Sequence, residues 1–240
     1  MTIPKKLFIT GFIGLIALLS VWVKEYMPLQ AFRPASAAVS EPGWYPVLLI
    51  DPGHGGTDGG AVSKDGTIES TLNLAIAQKL NGIASFYGIP TVMTRNSEEF
   101  QYQDSADSIS AKKKYDQQQR AAMIAQYPNG ILISIHQNFY PDARPKGAQV
   151  LYGHTAASEQ FGKLVHSNLM VCLNPENRRV AAPIDASIYL LRNAECTAVL
   201  VECGFLSNTE ETAQLKTQEY QKELATVLAA SYLEYIQQEM

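Results

Sequence analysis

The sequence predicts an α/β sandwich built on a mostly parallel or mixed sheet, and two patterns carry that prediction. Short, wholly apolar runs alternate with longer segments whose apolar residues recur at helical spacing. The apolar runs also lack the in–out alternation of half-exposed strands, so they read as strands buried on both faces. With 46% hydrophobic and 18% charged residues among 240, the composition is that of an ordinary globular protein and excludes a disordered or low-complexity chain.

The elements follow in order. Residues 47–51 form the first strand, stopped by Pro52-Gly53. Residues 68–86 form a helix with Leu72, Ile76, Leu80 and Ile83 on one face and Thr67 placed to cap it. Gly88-Ile89-Pro90 leads into a strand at 91–94, and the polar, acidic stretch 98–107 reads as a loop. A helix is expected over 110–127, with Lys112, Lys113 and Lys114 on its solvated face. Strands at 131–135, ending at His136, and at 148–152 precede a helix at 155–170 on Phe161, Leu164, Val165 and Leu169. Two more strands are read at 188–191 and 197–201, then helices at 210–215 and 220–237, the latter on Leu224, Val227, Leu228 and Leu233. No internal repeat and no second domain is visible.

Upstream of this body, Lys5-Lys6 precede an uncharged apolar run over 7–23 that Lys24-Glu25 close. Seventeen residues is the short end for a bilayer span, and positive charge before the run directs the downstream chain outward. Ala35-Ser36-Ala37 has the form of a cleavage site but lies 14 positions beyond the apolar run, which favours an uncleaved anchor over a cleaved signal. Four prolines between 25 and 46 mark a linker. The expected organisation is therefore a membrane anchor or signal at 1–24, a linker at 25–46 and one extracytoplasmic catalytic domain at 47–240.

The formal charge of −4 is unevenly divided: residues 1–46 carry four basic and two acidic side chains, the rest 15 and 21, a net −6. So acidic a body argues against nucleic acid as a partner. It is expected to be held at its target by the tether or by an activating or localising protein partner rather than by a basic surface. Cys172, Cys196 and Cys203 are an odd number without CxxC spacing, against a disulfide framework or a Cys-rich zinc site. If 197–202 is a strand, Cys196 and Cys203 are about 23 Å apart and cannot be bridged. Small buried apolar side chains are expected at all three.

In sheets of this kind, ligands bind beyond the carboxyl ends of the strands. Of four histidines, His54 follows the first strand in Asp51-Pro52-Gly53-His54-Gly55-Gly56, and His136 ends the third in Ser134-Ile135-His136-Gln137-Asn138. Glu69 opens the helix after the His54 loop, and Glu202 ends the last strand in Val201-Glu202-Cys203-Gly204-Phe205. Two imidazoles and one carboxylate are the ligand set of a catalytic zinc with an open position, and a second carboxylate would move protons. A histidine at a strand end also serves as a purely structural side chain, so spacing alone leaves both readings open. The glycine-rich loop lacks the lysine and order of a phosphate-binding loop, and no GxSxG elbow occurs. His154 reads as a capping or surface residue and His166, inside a helix, as structural.

The motifs in combination narrow this. Asp51-Pro52-Gly53-His54-Gly55-Gly56, Glu69-Ser70, Thr94-Arg95, Ser134-Ile135-His136 with Asn138, and Val201 through Asn208 occur in an order that resembles the zinc-dependent N-acetylmuramoyl-L-alanine amidases of the Amidase_3 (AmiC/CwlV-like) family. The resemblance covers about 47–236. It implies a phosphorylase/hydrolase-like α/β sandwich with about six strands in a mixed sheet flanked by helices. It further implies one Zn²⁺ per chain held by His54, Glu69 and His136, Glu202 as the catalytic glutamate, and peptidoglycan as substrate. Cys203 stands where the family signature has threonine, which leaves the glutamate intact. Asn138 and Arg192 are candidate substrate-binding residues, with turn-stabilising and ion-pair roles as their alternatives; Arg95 shares that ambiguity. His136 and Glu202 are 66 positions apart, too few for the autoinhibitory helical insertion of the Gram-negative division enzymes. That spacing, the leader and the long polar stretch before Arg120 look like the sporulation-linked, cortex-processing (CwlD-type) members. A zinc carboxypeptidase or endopeptidase acting on the stem peptide, and an inactive wall-binding scaffold, are the alternatives.

Overall fold

The computed structural model of the chain describes residues 45–99 and 108–239. The first apolar run forms β1 (Leu48–Pro52), buried throughout. There follow α1 (Glu69–Phe86), β2 (Thr91–Met93), α2 (Ile109–Ile124), β3 (Ile131–Asn138), β4 (Gln149–Tyr152) and α3 (Ala156–Leu173). The chain continues through β5 (Ala182–Pro183), the one-turn α4 (Tyr189–Arg192), β6 (Thr197–Phe205), α5 (Thr209–Leu215) and α6 (Gln218–Glu239). The strands form one six-stranded sheet in the order β2-β1-β3-β6-β4-β5. β2, β1, β3 and β6 run parallel; β4 is antiparallel to β6 and parallel to β5. The expected mixed sheet is observed.

Alternate residues of the central strands enter two apolar layers, which is why these strands show no polar face. Leu48, Ile50, Ile133, Ile135, Val199 and Val201 pack with Leu80 of α1, Phe161 of α3 and Leu228 of α6. Leu49, Leu132, Ala198 and Leu200 pack on the other side with Ile124 of α2 and Leu190 and Leu191 of α4. Each such aliphatic side chain contributes about 1.5–3 kcal/mol relative to exposure. Helix starts are secured locally: Ser108, Thr155 and Asn208 accept hydrogen bonds from Ala111 N, Ser158 N and Glu210 N respectively.

The structure corrects four expectations. Thr67 does not cap α1; its hydroxyl donates to Asp65 at 2.6 Å. The first amides of that helix instead reach back to the preceding loop, Glu69 N to Ala61 O and Ser70 N to Gly59 O, both 3.0 Å. The apolar run at 188–191 is not a strand but leads into α4, because a four-residue apolar run has no period that separates strand from buried helix. The sixth strand is β5, two residues on the outer edge. Cys196 and Cys203 are buried as expected, but Cys172 is exposed on α3.

The expected anchor and nearly all of the linker lie outside the described residues, of which Tyr45 is the first. Among the described residues no helix is long and apolar enough to cross a membrane.

Candidate metal centre and active site

The site forms where β1, β3 and β6 end beside one another. After Pro52 the chain turns through a glycine-rich loop in which His54 itself takes a left-handed conformation, φ 60°. Two buried arginines hold that turn. Arg95 donates to Pro52 O (2.9 Å), Gly53 O (3.1 Å) and Ser70 O (2.8 Å). Arg120 of α2 donates to Pro52 O (2.7 Å) and His54 O (2.6 Å) and pairs with Asp51 (2.8 Å) and Asp116 (2.9 Å). Asp51 also accepts from Thr94 Oγ1 (2.6 Å) and Ser134 Oγ (2.5 Å). Burial alone would raise the Asp51 carboxyl, but Arg120 and these hydroxyls lower it to about 2.

His54, Glu69 and His136 converge, with one ligand atom from each lying within 4.8 Å of the others. His54 Nε2 and His136 Nδ1 lie 3.4 and 3.1 Å from Glu69 Oε1. The two rings meet edge-on at 5.0 Å between centroids. Two glycines make this approach feasible. A Cβ on Gly53 would fall 2.2 Å from the His136 ring, and one on Gly60 would fall 2.5 Å from Glu69 Oε2. Glu69 is further fixed by Ala61 N (2.8 Å), Gln137 N (3.1 Å) and Asn73 Nδ2 (3.3 Å). Its burial would raise the carboxyl; hydrogen bonds from both imidazoles and their charge outweigh it and hold Glu69 well below the usual carboxylate range.

His54 Nδ1 bonds Asp58 Oδ2 at 2.9 Å, which orients the ring and leaves Nε2 facing the cluster. Burial pulls this imidazole down, but hydrogen bonds to Asp58 and Glu69 lift it to about 9. Asp58 is held in turn by Lys113 Nζ at 3.0 Å. Lys113 is exposed, as expected of its lysine run, and it also lines the rim of the site.

Glu202 lies directly across from His136 in the β3–β6 register. Its Oε2 is enclosed and, among the described residues, has no hydrogen-bond partner. Burial, reinforced by Glu69 and opposed by the charge of His136 and His54, pushes this carboxyl up to about 7. A cavity of about 320 Å³ opens here, lined by His54, His136 and Glu202 on one side and by Ile188, Tyr189 and Leu191 on the other.

The four residues of the expected set thus sit in one place. Asn138 does not line this cavity; it borders an adjacent depression with Arg179 and Phe205, and its carbonyl accepts from Leu206 N at 2.8 Å. Arg192 is exposed, donates to Ala186 O at 2.9 Å and lies over the Tyr189 ring. His154 is exposed, and His166 is buried with Nε2 on Arg179 O at 2.8 Å. Sequence reasoning missed Asp58, Asn73 and the Asp116–Arg120 pair. Each shows a signal, a polar partner four positions from His54, from Glu69 or within α2, but that spacing is common on exposed surfaces as well.

Two imidazoles and two carboxylates gathered at one end of the sheet of an α/β sandwich are a donor set of the kind found in metal-dependent hydrolases. Residues 48–232 match the family model described as N-acetylmuramoyl-L-alanine amidase, and the chain belongs to that family, Amidase_3. It is accordingly an enzyme of peptidoglycan that hydrolyses the amide between N-acetylmuramic acid and L-alanine. The chain is 31% identical over 233 residues to the germination-specific N-acetylmuramoyl-L-alanine amidase of Bacillus subtilis, covering 96% of this chain and 95% of that one. It also resembles the CwlD amidase of Clostridioides difficile, solved in complex with the GerS lipoprotein, with TM-score 0.77 and 30% identity over 80% of this chain and 98% of that one. The catalytic domain of CwlV from Bacillus (Paenibacillus) polymyxa aligns with TM-score 0.66 and 27% identity over 80% and 98%.

Proposed function

We propose that His54, Glu69 and His136 hold one Zn²⁺ and that Glu202 is the catalytic proton carrier of the amidase reaction. The observation that supports this best is the enclosed, unpartnered Oε2 of Glu202 beside a three-donor cluster whose nitrogen and oxygen chemistry suits zinc. When bound there, zinc supplies Lewis acidity, polarising the substrate carbonyl and lowering the pKa of water towards ~7. Glu202 takes a proton from the attacking water as the new C–O bond forms at the carbonyl of the muramic lactyl group. As the C–N bond breaks, Glu202 returns that proton to the departing L-alanine nitrogen. The products are a lactyl carboxylate and a free stem peptide. Asp58 orients His54, the two buried arginines brace the loop that carries it, and the apolar wall at Ile188 and Leu191 limits water.

The place of action is read from the relatives. The germination-specific name of the B. subtilis relative supports a role in spore-cortex processing. The lipoprotein complex of the C. difficile neighbour supports an activating or localising protein partner here too. Both suit an extracytoplasmic domain (47–240) tethered by residues 1–24 through the linker 25–46.

The test is digestion of peptidoglycan with the zinc-loaded enzyme, read by mass spectrometry. Release of lactyl-terminated muramic residues with peptides beginning at L-alanine is expected. Cleavage within the stem instead would establish a peptidase, and no cleavage together with no bound zinc would establish a scaffold.

A further inference from the structure

We infer that the depression next to Glu202 is an anion subsite, in which Arg179 binds a carboxylate of the stem peptide that leaves with L-alanine. This rests on the amidase reading and adds to it a means of recognising the peptide arm. The depression, about 310 Å³, is lined by Asn138, Tyr140, Pro145, Gln149, Arg179 and Phe205. Gln149 pairs directly with Glu202 across β4 and β6. Opposed residues of an antiparallel pair stand roughly 5 Å apart and present their side chains on the same face. Arg179 Nη1 in turn reaches Gln149 Oε1 at 3.4 Å. The guanidinium is therefore one side chain away from the neighbour of the proton carrier.

Arg179 is built as a receptor rather than left as a solvated side chain. Its guanidinium carbon lies 4.5 Å from the centre of the Phe205 ring, which fixes the plane of the fork. Its backbone is pinned at both ends, N donating to Asn177 Oδ1 (3.0 Å) and O accepting from His166 Nε2 (2.8 Å). Yet among the described residues it forms no ion pair. The acid whose charge it feels, Glu211, has both oxygens engaged by Gly147 N and Phe205 N at 2.8 Å. A guanidinium carries five N–H donors in a fork that matches a carboxylate, and the long bond to Gln149 uses one. Lys146 and Arg178 adjoin it around the neighbouring depression, with Glu176 the acid among them, so this rim is positive in a body of net −6.

The substrate's charge distribution selects the occupant. The muramic lactyl group is uncharged while amide-linked, so the glycan side of the scissile bond offers no anion there. The peptide arm carries the carboxylates. An arginine placed beyond the proton carrier thus recognises the leaving arm and orients its nitrogen towards Glu202.

The experiment uses the zinc-loaded enzyme and two synthetic muramoyl peptides, one with a free carboxylate on the residue after L-alanine and one with the corresponding carboxamide. Wild-type enzyme is expected to show a KM about tenfold lower for the carboxylate substrate, with kcat within about twofold. Arg179→Ala should raise KM for the carboxylate substrate about tenfold and erase the preference; Arg179→Lys should restore part of it. Zinc content and thermal midpoint should stay unchanged. Equal handling of both substrates by the wild-type enzyme, which needs no variant to observe, overturns the subsite, as does an Arg179→Ala enzyme that still discriminates. Hydrolysis of neither substrate by the wild-type enzyme, alone or supplemented with an extract of the producing cells, overturns the active-site reading on which the subsite rests, and the subsite with it.

Discussion

Two glutamates, Glu69 at the start of α1 and Glu202 inside β6, face the same site and have opposite fates. Glu69 sits in the corner made by β1, β3 and α1, where backbone amides, Asn73 and two imidazoles occupy its oxygens. Glu202 sits in the β6 corner, also enclosed, with one oxygen that meets no donor among the described residues. Burial raises both carboxyls; at Glu69 hydrogen bonds and positive charge reverse it, and at Glu202 they do not. The same side chain is therefore held as an anion in one corner and has its carboxyl raised towards neutrality in the other. The difference lies in the surrounding donors. The β1 corner is clamped by Arg95 and Arg120, whereas beside β4 the Arg179 guanidinium has a long bond to Gln149 and the face of Phe205.

The contrast is broken most severely by exchanging the carboxylates for amides. Glu202→Gln should lower kcat by about 10²–10⁴-fold with metal content unchanged, whereas Glu69→Gln should lose the metal. Metal analysis beside rate measurements distinguishes the two, and Glu202→Gln should not lower stability because no partner is lost. Arg120→Ala attacks the clamp of the first corner and leaves Asp51 and Asp116 buried and unpaired, at a cost of about 3–5 kcal/mol in chemical denaturation. An Arg120→Ala protein as stable as wild type would mean that the loop does not depend on this clamp.

A pH titration reads the same clamp more gently. Asp51 has its folded-state value lowered from 3.8 to about 2, so its contribution is fully present above about 4 and is lost as pH falls towards 2. That contribution, about 2 kcal/mol, should be missing from the unfolding profile of metal-free Asp51→Asn over the same range. Asp58→Asn removes the charge of the acceptor that orients His54, and with it the ion pair to Lys113, and should weaken metal binding about 10–100-fold in chelator competition. The smallest effect is expected at Arg192, which does not line the cavity: Arg192→Ala should keep kcat/KM within about twofold.

Much of this architecture is legible in the chain. Strands buried on both faces are recognisable because they lack alternation, and the long helices because their apolar stripes persist for several turns. His54, Glu69, His136 and Glu202 stand out because their residue types and order are chemically specific. The failures share a cause. The run at 188–191 is too short to show a period, β5 has two residues, and Thr67 lost its capping role to carbonyls of a loop that folds back from 59–61. Arg120 and Asp116 look in sequence like any exposed helical pair; only the arrival of Asp51 against them makes the group a buried clamp.

Local pattern and residue chemistry are enough to specify the sheet class, the order of most strands and helices, the four residues of the site and the acidity of the body. Which carboxylate is held as an anion and which one can carry a proton is set only by the assembled fold. So is the division between the arginines that brace the loop and Arg179, which forms no ion pair among the described residues. Those properties depend on desolvation and on donors brought from distant parts of the chain, and neither exists until the sheet has assembled.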